Sequence, residues 1–285
     1  MTDKRILLPT DFSENARNAI EYALQLYKDE ACTFFLMNSY TPPLTGVATS
    51  VASSGPTKLM LEVAKKNSEE GLKKVLQHTE GNATPTLHRF KTLSKYDFFL
   101  SAVKEVITEE SIDLIVMGTK GASGLKEIIM GSNTASVIGK VECPVLAVPE
   151  KATFKGIREI AFATDYERCY DPEEMAPLYH IAEKHKAIVS VLHAQGGEAL
   201  SAAQEAVKND LRKSLSRFQP DFHTLTDVEL ETAIRLFIQS RPVDMLCMID
   251  KPHNFFERFL GKPKVEEISF HIKIPFLVLH EKERE

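Results

Sequence analysis

Among 285 residues there are only four cysteines, Cys32, Cys143, Cys169 and Cys247, and none stands in a Cys-x-x-Cys spacing. Their spacing offers no thiolate metal motif, and the cysteines read as reduced thiols in a cytoplasmic protein. The chain also lacks any run near the ~20 apolar residues that a membrane-spanning helix needs. Its opening, Met1-Thr2-Asp3-Lys4, leads straight into a strand pattern without the apolar core of a secretory signal. An excess of charge of either sign is missing too. The first 150 positions carry 16 basic and 18 acidic side chains, the remainder 19 and 22. No broad cationic surface for nucleic acid or an anionic membrane is therefore expected. Nine histidines and four cysteines assemble no metal cluster, and no Ser/His/Asp order or pair of catalytic carboxylates can be argued. Neither a Walker loop nor the Gly-x-Gly-x-x-Gly dinucleotide fingerprint is present.

What is present is an ordinary globular composition, 43% hydrophobic and 26% charged, in a chain long enough for two domains. In the first half apolar runs alternate with helical periodicity. Strands are expected at Arg5–Leu8, Thr33–Met37, Thr84–Phe90, Ile112–Met117 and Val145–Val148. Helices are expected at Asn15–Tyr27, Lys58–Gln77, Phe98–Glu109 and Ser132–Val141. Alternating β and α implies parallel strands with right-handed crossovers. An open sheet of that kind takes its ligand beyond the carboxyl ends of its strands. Asp11, Asn38-Ser39 and Gly118 all follow strands in this reading, so they should gather at one edge. Thr41–Thr57, rich in Pro, Gly, Ser and Thr, reads as a loop that is either a lid or a surface insertion.

The densest signal is Gly118-Thr119-Lys120-Gly121, followed after nine residues by Gly131-Ser132. A strand that empties into a glycine-rich loop and then a helix N-terminus is a general way to hold phosphate. Glycine permits close backbone approach, and the free N–H groups face the anion. The spacing Gly-x2-Gly-x9-Gly-Ser resembles the ATP-binding signature of the universal stress protein family. Arg5-Ile6-Leu7-Leu8-Pro9-Thr10-Asp11-Phe12-Ser13 resembles that family's first strand and its Asp-bearing loop, and Cys143-Pro144-Val145-Leu146-Ala147-Val148 its last strand.

The remainder of the chain is a second, altered copy. Arg158–Asp165 repeats Arg5–Asp11 in style, Asp244–Met248 repeats Asp113–Met117, and Ile274–Leu279 repeats Cys143–Val148. The last two correspondences share one offset, which puts Ile249 on Gly118, Pro252 on Gly121, Lys262 on Gly131 and Pro263 on Ser132. The second copy is thus expected to have lost the phosphate cradle. The expected organisation is α/β: two tandem open parallel five-stranded sheets with helices on both faces, Rossmann-like, over residues 1–150 and 155–285. A polar linker runs from Pro149 to Lys155.

The resemblance implies an ATP-binding stress-response regulator that acts through conformation or an unknown protein partner. The adenine nucleotide is its ligand, magnesium would ride on the phosphates, and the two halves would pair as an intramolecular pseudo-dimer. The matching contact residues are Pro9, Thr10, Asp11, Ser39, Met117, Gly118, Gly121, Gly131, Ser132 and Asn133. Asp11, as a buried carboxylate, would accept hydrogen bonds from adenine or ribose, and the Ser39 backbone would meet the base. Gly118 and Gly121 would leave room for ribose and α-phosphate, and Gly131, Ser132 and Asn133 would wrap the β- and γ-phosphates. Structural readings stand beside these roles: Asp11 or Ser13 as the N-cap of the first helix, Ser132 as a helix cap, Lys120 as a solvated lysine and His193 as a satisfied structural histidine. Slow ATP hydrolysis and a nucleotide-independent scaffold are the competing functions. Phe255–Leu260 falls where the first copy has its glycine loop, and reads as a core plug or a docking patch.

Overall fold

The computed structural model of the chain describes residues 3–41, 54–84, 86–119, 130–197, 199–250 and 273–281. Its first half runs β1 (Lys4–Pro9), α1 (Glu14–Leu26), β2 (Cys32–Tyr40), α2 (Ser54–Asn82), β3 (His88–Tyr96), α3 (Phe99–Glu109), β4 (Leu114–Gly118), α4 (Ser132–Ile138) and β5 (Val145–Val148). The second half runs β6 (Glu159–Ala163), α5 (Ala176–His185), β7 (Ile188–Gln195), α6 (Ala202–Ser214), β8 (Asp221–Thr226), α7 (Leu230–Ser240), β9 (Met245–Asp250) and β10 (Phe276–His280).

The central strands are near-continuous apolar runs because both of their faces are covered. Ile6 and Leu8 join a core with α1, and Leu7, one residue out of phase, joins the opposite core with α3 and α4. The same alternation puts Ile160 and Phe162 against α5 and α6, and Ala161 and Ala163 against α7. Two layers of helices therefore sandwich one sheet.

That sheet runs through both halves of the chain. The two five-stranded sheets are joined into one of ten strands, in the order β3-β2-β1-β4-β5-β10-β9-β6-β7-β8. All neighbours run parallel except at the seam, where β5 and β10 pair antiparallel through Ala147 with Phe276, Leu146 with Leu277 and Val145 with Val278. Each of these two strands would otherwise be a bare apolar edge, and pairing them satisfies both. At the outer margin β3 keeps its edge guarded by Arg89, Lys91 and Lys95.

The halves also meet through side chains. Glu30 lies between His180, at 2.7 Å, and Lys184, at 2.6 Å. Burial works to raise its carboxyl, but hydrogen bonds from His180 and Lys184 prevail and hold the pKa at about 2. The linker is anchored rather than loose: Asn18 donates to the carbonyls of Pro149 and Ala152, and Phe154 packs edge-on against Tyr22. On β10, His280 donates to Ile138 O at 2.7 Å, and burial lowers its pKa. All four cysteines are free, and no helix among the described residues is long and apolar enough to cross a membrane.

Several boundaries differ from expectation. β3 begins at His88 and extends to Tyr96, not Thr84–Phe90. Its polar and charged residues face solvent at the sheet margin, so its apolar signal is thin. β2 runs through Asn38-Ser39 to Tyr40, so those residues end the strand rather than follow it. Gly118 is likewise the last residue of β4.

Candidate functional site

The order β3-β2-β1-β4 reverses direction of travel between β1 and β4. The crossovers on either side of that point leave in opposite directions, so the carboxyl ends of these two strands cannot be roofed by one connection. A cleft of about 480 Å³ opens there, inside the 300–1,000 Å³ range of small-molecule sites.

Its floor is built by local hydrogen bonds. Thr10 N donates to Met37 O at 2.8 Å, and Asn38 Nδ2 donates back to Thr10 O at 2.7 Å. Thr10 Oγ1 then accepts from Phe12 N, and Asp11 Oδ1 accepts from Ser13 N, both at 3.0 Å. This double turn forces Phe12 to φ 67° and aims the chain into α1, where Ser13 Oγ accepts from Ala16 N as the N-cap. Of the two cap candidates, Ser13 does the capping. Asp11, expected to be buried, is exposed on the cleft wall because its side chain folds back over its own turn.

Gly118 is required by a close approach. A Cβ built there would stand 2.7 Å from Cγ of Asn15, which is itself buried. Beyond it, Thr119 N donates to Val148 O at 3.0 Å and Gly131 N donates to Thr119 O at 2.6 Å. The buried Thr134 Oγ1 donates to Gly118 O at 2.7 Å. These bonds pin the start of α4 to the end of β4. Gly131, not Ser132, is the N-cap of α4, so the expected cap role of Ser132 does not hold. Ser132 and Asn133 are exposed toward the cleft instead.

Pro9, Thr10, Asp11, Ser39, Met117, Gly118, Gly131, Ser132 and Asn133 all line this one cleft. Gly121 and Lys120 lie outside the described residues, as do most of the Thr41–Thr57 loop and the whole Phe255–Leu260 run. Sequence reasoning placed Asn38 at this edge but missed Ala16, Tyr40, Thr41, Thr134 and the group Asp97, Phe98 and Phe99 as lining residues. The last group was lost with the misplaced end of β3; the Asp-Phe-Phe run directly before a helical pattern was the available signal.

The second half repeats the frame and closes the hole. Gly118 pairs with Val148 across β4–β5, and Ile249 pairs with Leu279 across β9–β10, so the equivalence of Gly118 and Ile249 is a matter of register. Asp165 Oδ1 accepts from Glu167 N, Thr164 Oγ1 accepts from Tyr166 N, and Tyr166 has φ 57°, each as in the first half. His193 stands where Asn38 does and donates from Nδ1 to Thr164 O at 2.9 Å. It is a structural histidine doing the amide's job. In the second half the helix after the turn begins only at Ala176, and Tyr170, in the segment before it, lines the second edge. Its hydroxyl bonds Thr164 Oγ1 and its ring packs edge-on against Phe162. Arg168 lies over the Tyr170 ring and is held by Glu174 and Glu281. The hollow that remains beside Asp165 and Ile249 measures about 10 Å³. Pro252, Lys262 and Pro263 lie outside the described residues.

Comparison with known proteins agrees with this geometry. A model of the universal stress protein family matches residues 3–149. The universal stress protein MJ0531 of Methanocaldococcus jannaschii is 30% identical over 146 residues, covering 51% of this chain and 81% of that protein. From the same organism, universal stress protein MJ0577 is 29% identical over 162 residues, covering 52% of this chain and 96% of that protein. The crystal structure of a universal stress protein from Archaeoglobus fulgidus covers 99% of this chain and 97% of its own, with a TM-score of 0.70 at 16% identity. That last likeness shows the fold across both halves.

Proposed function

The chain belongs to the universal stress protein family, and from that premise we propose that it binds one adenine nucleotide, ATP, in the cleft of its N-terminal half. The observation that carries this reading is the convergence, at the β1–β4 switch point, of every described residue expected to touch the nucleotide. Asp11 and the Ser39 backbone would meet the base or ribose. Gly118 and Gly121 would give room for ribose and α-phosphate, and Gly131, Ser132 and Asn133 would surround the terminal phosphates, with magnesium carried by the phosphates themselves. The cleft volume suits such a ligand.

The output is conformational or through a protein partner in a stress response in the cytoplasm, not turnover. Phosphoryl transfer needs a positioned nucleophile and charge clamps, and among the described lining residues Asp11 and Asp97 are the only carboxylates and no lysine, arginine or histidine is present. Residues 1–150 and 155–285 form two domains paired as an intramolecular pseudo-dimer, a reading supported by the antiparallel β5–β10 contact.

Calorimetric titration with ATP should give one site per chain. Gly131→Val should abolish it by steric exclusion, and Asp165→Ala should leave it unchanged. Two equivalent sites, or one that survives the first change and not the second, would move the ligand to the other half. Steady-state hydrolysis near ~10 per second, lost with one side chain, would refute a pure binding role.

A further inference from the structure

The cleft is chemically polarised along the sheet. At the β4–α4 end its wall is Gly118, Gly131, Ser132 and Asn133; at the β2–β3 end it is Tyr40, Phe98 and Phe99. Three strand spacings of ~4.8 Å, roughly 14 Å, separate β4 from β3. A nucleotide whose phosphates lie on the glycine side therefore extends its base toward the aromatic side.

Phe98 is anomalous there on two independent counts. It is 67% exposed, whereas its neighbour Phe99 is packed against the core. It also occupies the N-cap of α3, with φ −63° and ψ 142° and no side-chain cap bond. Large apolar residues are the poorest N-caps, since they leave a helix donor unmet that Ser, Asp or Asn would satisfy. The fold thus gives up a cap and leaves a phenyl ring in water at the mouth of a cleft. Departures from local preference of this kind concentrate at functional positions.

We propose that Phe98 is the base-stacking platform of the site, which makes the ligand's aromatic base, and not only its phosphates, a determinant of binding. The inference rests on the nucleotide reading above and adds a residue to it. A flat ring offers any base a π-face, and stacking is tolerant of which base is present. Phe98 accordingly favours nucleotides over inorganic triphosphate and works alongside the Ser39 backbone, which reads the base edge.

The test uses the full chain and two variants. Phe98→Ser supplies a better N-cap, so thermal stability should hold or rise, while ATP affinity by calorimetry should fall roughly 5- to 150-fold. Affinity for inorganic triphosphate should not change. The chain contains no tryptophan, so Phe98→Trp creates a single fluorophore; ATP should quench it and inorganic triphosphate should not. If wild type binds ATP but Phe98→Ser retains full affinity, or the indole emission of the Phe98→Trp variant is indifferent to saturating ATP, the stacking role is overturned and the nucleotide reading survives. If wild type binds no nucleotide, the underlying reading fails instead.

Discussion

The two halves share one frame and differ in what stands at its carboxyl edge. Each has the same strand order outward from the seam, the same Thr-Asp turn with a residue at positive φ after it, and the same hydrogen bond from the second strand to the threonine carbonyl. Yet one edge holds a cleft of about 480 Å³ and the other a hollow of about 10 Å³. Gly118 against Ile249, together with the Tyr170 and Arg168 side chains that line the second edge, marks the contrast. The frame is fixed by many alternating core positions; whether it opens a cleft is decided by a few side chains at its edge. This separation explains how one copy can change its site without losing its fold.

The comparison breaks most severely at the seam both halves share. Leu277 is fully buried where β10 meets β5. Leu277→Ala should cost about 2–5 kcal/mol through lost burial and the cavity left behind, read by denaturant unfolding. A loss below ~1 kcal/mol would mean the seam contributes little to either half.

Exchanging the edge residues sharpens it. Ala16→Tyr with Gly118→Ile should fill the first cleft with side chains and lower ATP affinity at least about 100-fold, equivalent to about 2.8 kcal/mol, with a lowered but still cooperative melting transition because a side chain at 118 meets Asn15. Retained tight binding would show that these positions do not gate the cleft. In the reverse direction, Tyr170→Ala should destabilise by about 2–3 kcal/mol, because it removes a packed ring and leaves Thr164 without the Tyr170 hydroxyl. It should still leave one ATP per chain, since Ile249 remains.

The smallest effect concerns the junction at Glu30. Its folded pKa, about 2, is depressed below the ordinary value of 4.5. Its contribution to stability is therefore complete above about pH 4.5 and is lost as pH falls toward 2. Wild type and Glu30→Gln should differ in melting temperature at neutral pH and converge across that acid window. A difference constant down to pH 2 would place the effect elsewhere than the His180–Lys184 contacts.

Much of the cleft was legible because its parts are local. Strands buried on both faces are written as apolar runs, so Ile6–Leu8, Leu114–Met117 and Val145–Val148 could be found, and the residues following them located the edge. Where burial was one-sided the signal failed. β3 is a margin strand with polar residues facing out, so its apolar pattern stops six residues early at Phe90 and does not place Asp97, Phe98 and Phe99 at the strand's end. Asp11 is exposed rather than buried because its side chain turns back to Ser13 N, a choice that follows from loop geometry rather than residue type.

The sequence by itself determined the alternation of strands and helices, the duplication, the glycines at the end of β4 and the loss of glycine at Ile249, because each is a property of neighbouring residues or of fixed spacing. Only the tertiary structure decided the antiparallel register of β5 on β10, that Tyr170 and Arg168 line the second edge, and that Phe98 stands at the mouth of the first. Those outcomes depend on which edges and side chains meet across long stretches of chain. Periodicity reports how a segment buries itself, not what it is buried against.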